Sequence, residues 1–525
     1  MNSRIILVKN INIDRQYVNV LSYTEEQMLQ LCLTNKITEA NDYSFIRQNG
    51  TIQTKFSYEQ CLQANYIAFQ NKDYSNKWFF AWIDEVIYKG NYNTEIQFTI
   101  DAWSTWFDYW QKKPCFINRQ HVNDDTIGIH TIPENLDVGQ LISDFSKTED
   151  IIGAESFYWF VIASNYNPSN QTRYAGVGLY GNYPQGSMWF AWLININNPT
   201  DEINSISDWV FEVTKQSQAG NITAMFALPY QAFSIGDIDT TSHLVENGKG
   251  KLLNKDLKYN RETIRTIENF KPKNNKLLVY PYSFLRITNN LGSVNDYKIE
   301  DFETDTEGNI IFNAIGLPCI GYSGKIRPVN YRGVKYNEDE SIPLGKYPTL
   351  SWSSDGFTNW LTQNGINLGI NGVKTAINAG LNIATGNIGK GIGSVASSIG
   401  ETIGNFYSSS LGSNTAEGNA NSGDIAFGAN LIRFKIQHMR PKLEYLKIID
   451  DYFTRFGYKI NKIETPNIIG RKNWNYVEIA SSEEIGIGTV PSKYMELINN
   501  ACRKGVTIWH NHTNLGNYSL DNSIV

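Results

Sequence analysis

His510-Asn511-His512 sets two imidazoles two positions apart. At that spacing side chains on a strand point the same way and can share a metal. No carboxylate or cysteine stands at a recognisable distance to complete the set, so the pair reads as a surface turn after the strand "GVTIWH" (505–510). Three acidic pairs, Asp124-Asp125, Asp450-Asp451 and Glu483-Glu484, offer the residue type that flanks a sugar in glycoside hydrolysis. That chemistry needs two carboxyls facing across a cleft, whereas sequence neighbours belong on turns and solvated faces. Arg119 and His121 lie beside Asp124-Asp125 and read as a structural salt-bridge knot. Gly391-Ile392-Gly393-Ser394-Val395-Ala396 fits the dinucleotide pattern but follows no strand, in a stretch where glycine is common enough for chance. Gly389-Lys390 lacks the Ser/Thr and the upstream glycine of a P-loop. These residues predict no catalytic, cofactor-binding or metal-binding group, and no enzyme.

The elements that would position such groups are mostly strands. Aromatic content of 13 %, with 30 Tyr, 25 Phe and 13 Trp, marks a β-rich protein or one with large surfaces to bury. A length of 525 residues implies three or four domains. Net charge is 46 − 52 = −6 with no basic block, which argues against gripping nucleic acid by counterion release but allows DNA to pass. The cysteines (Cys32, Cys61, Cys115, Cys319, Cys502) are odd in number and scattered, so neither a disulfide framework nor a zinc site is expected. The N-terminus has strand character rather than a signal-peptide core, and no window offers 18 uninterrupted apolar residues.

Along the chain, residues 78–100 give two apolar runs joined across Lys89-Gly90-Asn91, a hairpin signal. Residues 155–164 and 187–196 are buried-strand candidates, 275–288 and 309–335 look similar, and Glu307-Gly308 suggests a hairpin turn. Residues 201–217 and 441–458 are amphipathic helices; in the second, Leu443, Leu446, Ile449, Phe453 and Phe456 share a face and Gly457 marks its end.

Residues 351–430 break the pattern, and 408–424 form a Ser/Gly/Asn tract. Within them Ile366, Ile370, Val373, Ile377, Leu381, Ile388, Ile392, Val395, Ile399, Ile403 and Phe406 recur at close to the ~3.6-residue period of an α-helix, Ala384 filling one gap. Ten glycines between 365 and 404 weaken that helix in water, each by about 0.8–1 kcal/mol against Ala. Thr385-Gly386-Asn387 is a natural turn between limbs 366–384 and 388–406. At about 1.5 Å per residue each limb reaches ~28 Å, near the thickness of a bilayer's hydrocarbon core. A helical hairpin with one apolar and one small polar face suits a multi-copy membrane pore. A long loop packed on its own protein, a coiled helix pair or a subunit contact fits the same stripe.

"KWFFAWIDEVIYKGNYNTEIQFTIDAWSTWFDYWQKKPCFINRQHVNDDTIGIHTIPENLDVG" (77–139) resembles the tail-knob proteins of small, short-tailed phages of Gram-positive bacteria, the Bacillus-type podophages. The resemblance rests on Asp101, Thr105-Trp106, Arg119, His121, Asp124-Asp125, Gly128 and Pro133-Glu134, on the opening "RIILVKNINIDRQYVNVL", on "RPKLEYLKIIDDYFTRFGYKIN" and on Gly505 with Trp509-His510. It implies a β-dominated α+β, multidomain subunit that contributes strands to a hexameric β-barrel tail tube. The expected division is 1–139 (tube-forming), 140–250 and 251–350 (β-rich middle domains), 351–430 (a long membrane-active loop) and 431–525 (returning to the tube body). The implied partners are five further copies in a homohexamer, other tail proteins (proximal tube or lower collar, and tail tip), the host membrane, and phage DNA passing without sequence-specific binding. The eleven stripe residues are the implied membrane-inserting set. The competing readings are a receptor-binding or distal-tail adaptor module, with Tyr/Trp surfaces in 150–240 stacking on cell-wall glycans, and a cell-wall hydrolase.

Overall fold

A computed structural model describes the chain except residues 1–2, 47–49, 72–76, 153–156, 174–187, 196–197, 199, 231–236, 247–252, 268–269, 290–292, 317–322, 347–348 and 351–431. All eleven stripe residues therefore lie outside the described residues, as do Gly389-Lys390, the 391–396 pattern and Cys319. The chain forms two compact units: Met1–Gln140 with Asn269–Tyr282 and Pro441–Val525, and Leu141–Glu268 with Ser283–Arg440.

In the first unit a seven-stranded sheet runs Lys36–Ala40, Arg4–Val8, Tyr66–Gln70, Trp78–Gly90, Asn93–Ile100, Thr51–Thr54, Ser44–Ile46. Successive side chains on a strand face opposite ways, and both faces of this sheet are covered. Ile6, Val8, Tyr66, Ala68, Phe80 and Trp82 pack on one side with Met28, Trp474 and Trp509. Ile5, Leu7, Ile67, Phe69, Ala81 and Ile83 pack on the other with Ile52, Ile96 and Phe98. Burial on both faces is why Ile5-Ile6-Leu7-Val8 is an unbroken apolar run instead of an alternating one. A five-stranded sheet runs Asn19–Leu21, Val506–Trp509, Trp474–Ile479, Cys115–Gln120, Tyr458–Glu464. Its one parallel pair joins Asn19–Leu21 to Val506–Trp509, near the two ends of the chain.

The second unit holds three larger sheets. One runs Leu141–Ile152, Ile432–Pro441, Phe284–Thr288, Val294–Tyr297; another Met188–Asn195, Phe157–Ser164, Ile222–Pro229, Thr349–Leu350. The third runs Leu253–Asn260, Asn309–Gly316, Ser323–Tyr331, Val334–Tyr336, with Ile342–Lys346 also on Ser323–Tyr331. The helix Thr200–Lys215 buries Ile203, Ile206, Trp209, Val210 and Val213, and Trp209 lies 4.6 Å from Phe190 between ring centroids.

The fold is strand-dominated with helices, as expected. Two local expectations fail. Asn275–Leu278 is a 3-10 turn, and only Phe284–Thr288 of 275–288 is a strand. Glu307-Gly308 is a turn, closed by the Gly308 amide donating to Asp305 O at 3.0 Å, but it joins no strand pair. The following strand, Asn309–Gly316, pairs with Leu253–Asn260 and Ser323–Tyr331 instead. Among the described residues, no helix is long and apolar enough to cross a membrane.

Candidate functional site

The 101–134 motif folds into the first unit as two buried polar centres. Asp101 caps the short helix Ala102–Trp106, its Oδ1 accepting from the Ser104 amide at 3.1 Å. Its Oδ2 accepts from the Tyr66 hydroxyl at 2.8 Å, and burial raises the Asp101 carboxyl above its ordinary range. The Thr105 hydroxyl bridges the backbone of Phe80, accepting from its amide and donating to its carbonyl, both at 3.1 Å. Trp106 lies over Lys77, whose Nζ sits 4.4 Å from the Trp106 ring and 3.4 Å from the Tyr109 ring. Lys77 Nζ donates to Thr105 O at 2.6 Å and reaches Glu25 Oε2 at 3.3 Å. Burial pushes this ammonium down to about 8, with Glu25 opposing. The aromatic motif residue is thus one wall of a cation cage.

The second centre is Glu134. Its side chain is fully buried between Lys276 and Arg119, which pair with its two oxygens. The Lys459 amide also donates to it at 2.8 Å. Arg119 Nη1 donates to Gly457 O at 2.9 Å, and the guanidinium lies over the Tyr452 ring. Lys276 lies over the rings of Phe453 and Tyr458; burial lowers its ammonium and Glu134 opposes the shift. Two cations share one carboxylate here, so removing that carboxylate would leave both buried and uncompensated. Asp125 sits alongside. It accepts from the Tyr458 hydroxyl at 2.6 Å and from the Asn275 amide at 2.9 Å. Asp450 accepts from the amides of Lys273 at 2.9 Å and Asn274 at 3.1 Å, and burial raises its carboxyl.

His121 is neutral and fixed in one tautomer. The Tyr476 amide donates to Nδ1 at 2.8 Å, so the ring proton is on Nε2, where it donates to Thr454 O at 3.0 Å. Burial first, then the neighbouring Arg471, pushes this imidazole down to about 3. A histidine so held neither takes a proton near neutrality nor faces solvent.

The expected knot therefore exists with different partners. Arg119 pairs with Glu134 instead of the aspartates, and Asp124 is exposed, its carboxylate holding Thr126 in a turn and its carbonyl bonding His130. Each acidic pair is split: Asp450 is buried while Asp451 meets Lys273 at 3.6 Å, and Glu484 meets Lys113 at 3.0 Å on the surface. His510 bonds Ser22 at 2.9 Å and Asn475 at 3.0 Å, while His512 bonds the Tyr23 hydroxyl at 3.2 Å. Their rings have different partners and do not converge. The sequence reading missed Lys276, Asn274 and Asn275 altogether; they come from a segment about 140 residues away in sequence, and only burial makes Lys276 and Asn275 partners of the motif and Asn274 a partner of Asp450 and Thr454. It missed Lys77 too, although "Lys77-Trp78" stood inside the quoted stretch.

What this arrangement does chemically is tie three chain segments into one body. Residues 245–523 match the family model of the tail knob protein gp9 C-terminal domain of Bacillus phage phi29. That span is more than half of the sequence. The chain belongs to the phage tail knob family. Residues 1–111 also match the N-terminus of the caudoviral major tail proteins. The tail knob protein gp9 of Bacillus phage phi29 is 24 % identical over 93 % of each chain, and that of Bacillus phage PZA 23 % over 91 % of each. The tail knob protein gp12 of bacteriophage C1 shares the fold, with a TM-score of 0.58 over 100 % of both chains at 13 % identity. The tail knob protein is accordingly a structural component of the virion tail, set among other tail proteins, and not an enzyme.

Proposed function

We propose that this tail knob protein assembles as a homohexamer whose strands close into a tube that conducts DNA. In this reading 351–430 is a loop that plugs the tube and then inserts into the host membrane as a pore. Residues 1–139 and 431–525 build the tube body, and 140–250 and 251–350 are β-rich middle domains. The observation that carries the reading is how the motif is spent. Arg119, His121, Asp125 and Glu134 are consumed by bonds inside the first unit, which makes a rigid body rather than a reactive site. Closing strands into a tube removes exposed sheet edges. A net charge of −6 suits a conduit through which DNA slides.

The stripe Ile366, Ile370, Val373, Ile377, Leu381, Ile388, Ile392, Val395, Ile399, Ile403 and Phe406 supplies the lipid-facing side, and the Asn/Ser/Thr faces the water-facing side. A central Asp costs roughly 2.5–3.5 kcal/mol on insertion scales, and in a hexamer every copy bears it. Ile377→Asp or Ile399→Asp should therefore stop dye release from liposomes by purified rings, while Asn378→Asp is tolerated. Equal leakage from wild type and both stripe variants would remove the pore.

A second reading rests on Phe157, Trp159 and Tyr230. Phe157 and Tyr230 are 43 % and 47 % exposed, and Tyr230 lies 5.8 Å from Trp159 between ring centroids. Such rings could stack on glycans of the cell wall, which a pulldown with wall fragments would detect.

A further inference from the structure

Arg265, at the end of the short helix Arg261–Arg265 in the second unit, is 5 % exposed, and its Nε has no hydrogen-bond partner. The Nε of Arg261, one turn earlier, is likewise buried and unpartnered. The carboxylate nearest to both belongs to Glu262, whose side chain is 70 % exposed. Its Oε1 lies 3.5 Å from Arg261 Nε and 3.8 Å from Arg265 Nη1, and it makes a hydrogen bond to neither. Glu300 attracts Arg265 at longer range. Arg440 is held by both oxygens of Asp144, and His438, which burial keeps neutral at pH 7 by pushing it down to about 4, has its Nε2 on the Ser283 hydroxyl at 2.8 Å. Among the described residues, Arg265 is therefore the buried cation of this cluster that lacks a hydrogen-bonded counter-ion. Burial, then Arg261, lowers its guanidinium to about 10, which leaves it charged at neutral pH.

A buried guanidinium is costly unless charge-assisted hydrogen bonds replace its water. The protein's own carboxylate approaches from the solvent side and does not seat. A planar carboxylate offers two oxygens in one plane, whereas free phosphate offers three or four and a phosphodiester two set tetrahedrally, so that either can accept from two guanidinium forks at once. We propose that Arg261 and Arg265 form a binding site for a phosphate-class oxyanion, in the place that the Glu262 carboxylate now approaches. The phosphate could be a free ion or a phosphodiester carried by an anionic polymer. Either would meet the same two forks.

The test is thermal melting of the full chain in inorganic phosphate, in a small phosphodiester such as glycerophosphoglycerol, and in sodium chloride at matched ionic strength. A ligand that binds only the folded state raises the melting temperature with its concentration. Phosphate or the phosphodiester should do so where chloride does not, and the more potent of the two identifies the source. Glu262→Gln, which removes the competing carboxylate, should lower the concentration for half the effect several-fold. Arg265→Met should abolish the response and melt no lower than wild type in phosphate-free buffer, because it removes a buried charge that no carboxylate hydrogen-bonds. Identical melting in all three salts, or a response retained in Arg265→Met, overturns the site. Should Arg265→Met fail to fold, an unchanged half-effect concentration in Glu262→Gln overturns it instead.

Discussion

At the scale of single residues, the motif works by being buried. His121 shows the consequence most directly. Its ordinary value is 6.5 and its folded value about 3, so as pH falls the unfolded chain takes up the proton first. The stability that His121 contributes is complete above pH 6.5 and drains away as pH falls toward 3. Between pH 7 and pH 5 the loss amounts to about 2 kcal/mol from this one group. Asp450 acts in the opposite direction, since burial raises its carboxyl and the folded state then holds its proton more tightly. Comparing wild type with His121→Gln separates the two. The variant should be less stable at pH 7 but lose less on going to pH 5, by chemical denaturation at each pH. Parallel pH profiles would show that His121 does not titrate as its surroundings require.

At the scale of elements, the helix Leu443–Phe456 shows how a local stop signal serves the site. Leu446, Ile449 and Phe453 are buried at spacings of three and four, and Asp450 and Thr454 follow them inward to bond Asn274. Leu443 and Phe456, also placed on that face by periodicity, are half-buried at its ends. Gly457 ends the helix with φ of 65° and passes its carbonyl to Arg119. A Cβ there would stand 2.2 Å from Gln120 O. Backbone strain and the clash together should cost Gly457→Ala about 2–5 kcal/mol, read as a lowered urea midpoint. An unchanged midpoint would mean that this close approach relaxes freely. No helix was expected at Glu25–Thr34, yet Thr24 and Gln27 form a capping box that is visible in the sequence.

At the scale of the whole molecule, the first unit is assembled from three separated segments, 1–140, 269–282 and 441–525. Residues 351–431 lie between two elements of the other unit, Thr349–Leu350 and Ile432–Pro441. Deleting 365–410 should therefore leave the first unit's weave untouched. Particles carrying the deletion should form rings of normal appearance by electron microscopy and bind cells, yet deliver no genome. Loss of ring assembly in the deletion would make the segment part of the wall and end its role as a releasable plug.

The sequence alone determined what depends on neighbours along the chain. The hairpin 78–100, the strands 157–164 and 188–195 and the two amphipathic helices follow from periods of two and 3.6 residues and from local stop signals. Family membership was equally legible, because Asp101, Arg119, His121 and Glu134 keep their spacing within one stretch. Only the tertiary structure decided what those residues do. Glu134 could have met Arg119, His121 or neither, and Lys276 carries no mark in the sequence that ties it to Glu134, nor Asn274 one that ties it to Asp450. Charges pair by distance in space and by the water they lose, and both are set when the 269–282 and 441–525 segments pack against the motif. The same holds for Arg265: one more surface arginine by its place in the sequence, and a buried cation without a bonded partner once the second unit folds around it.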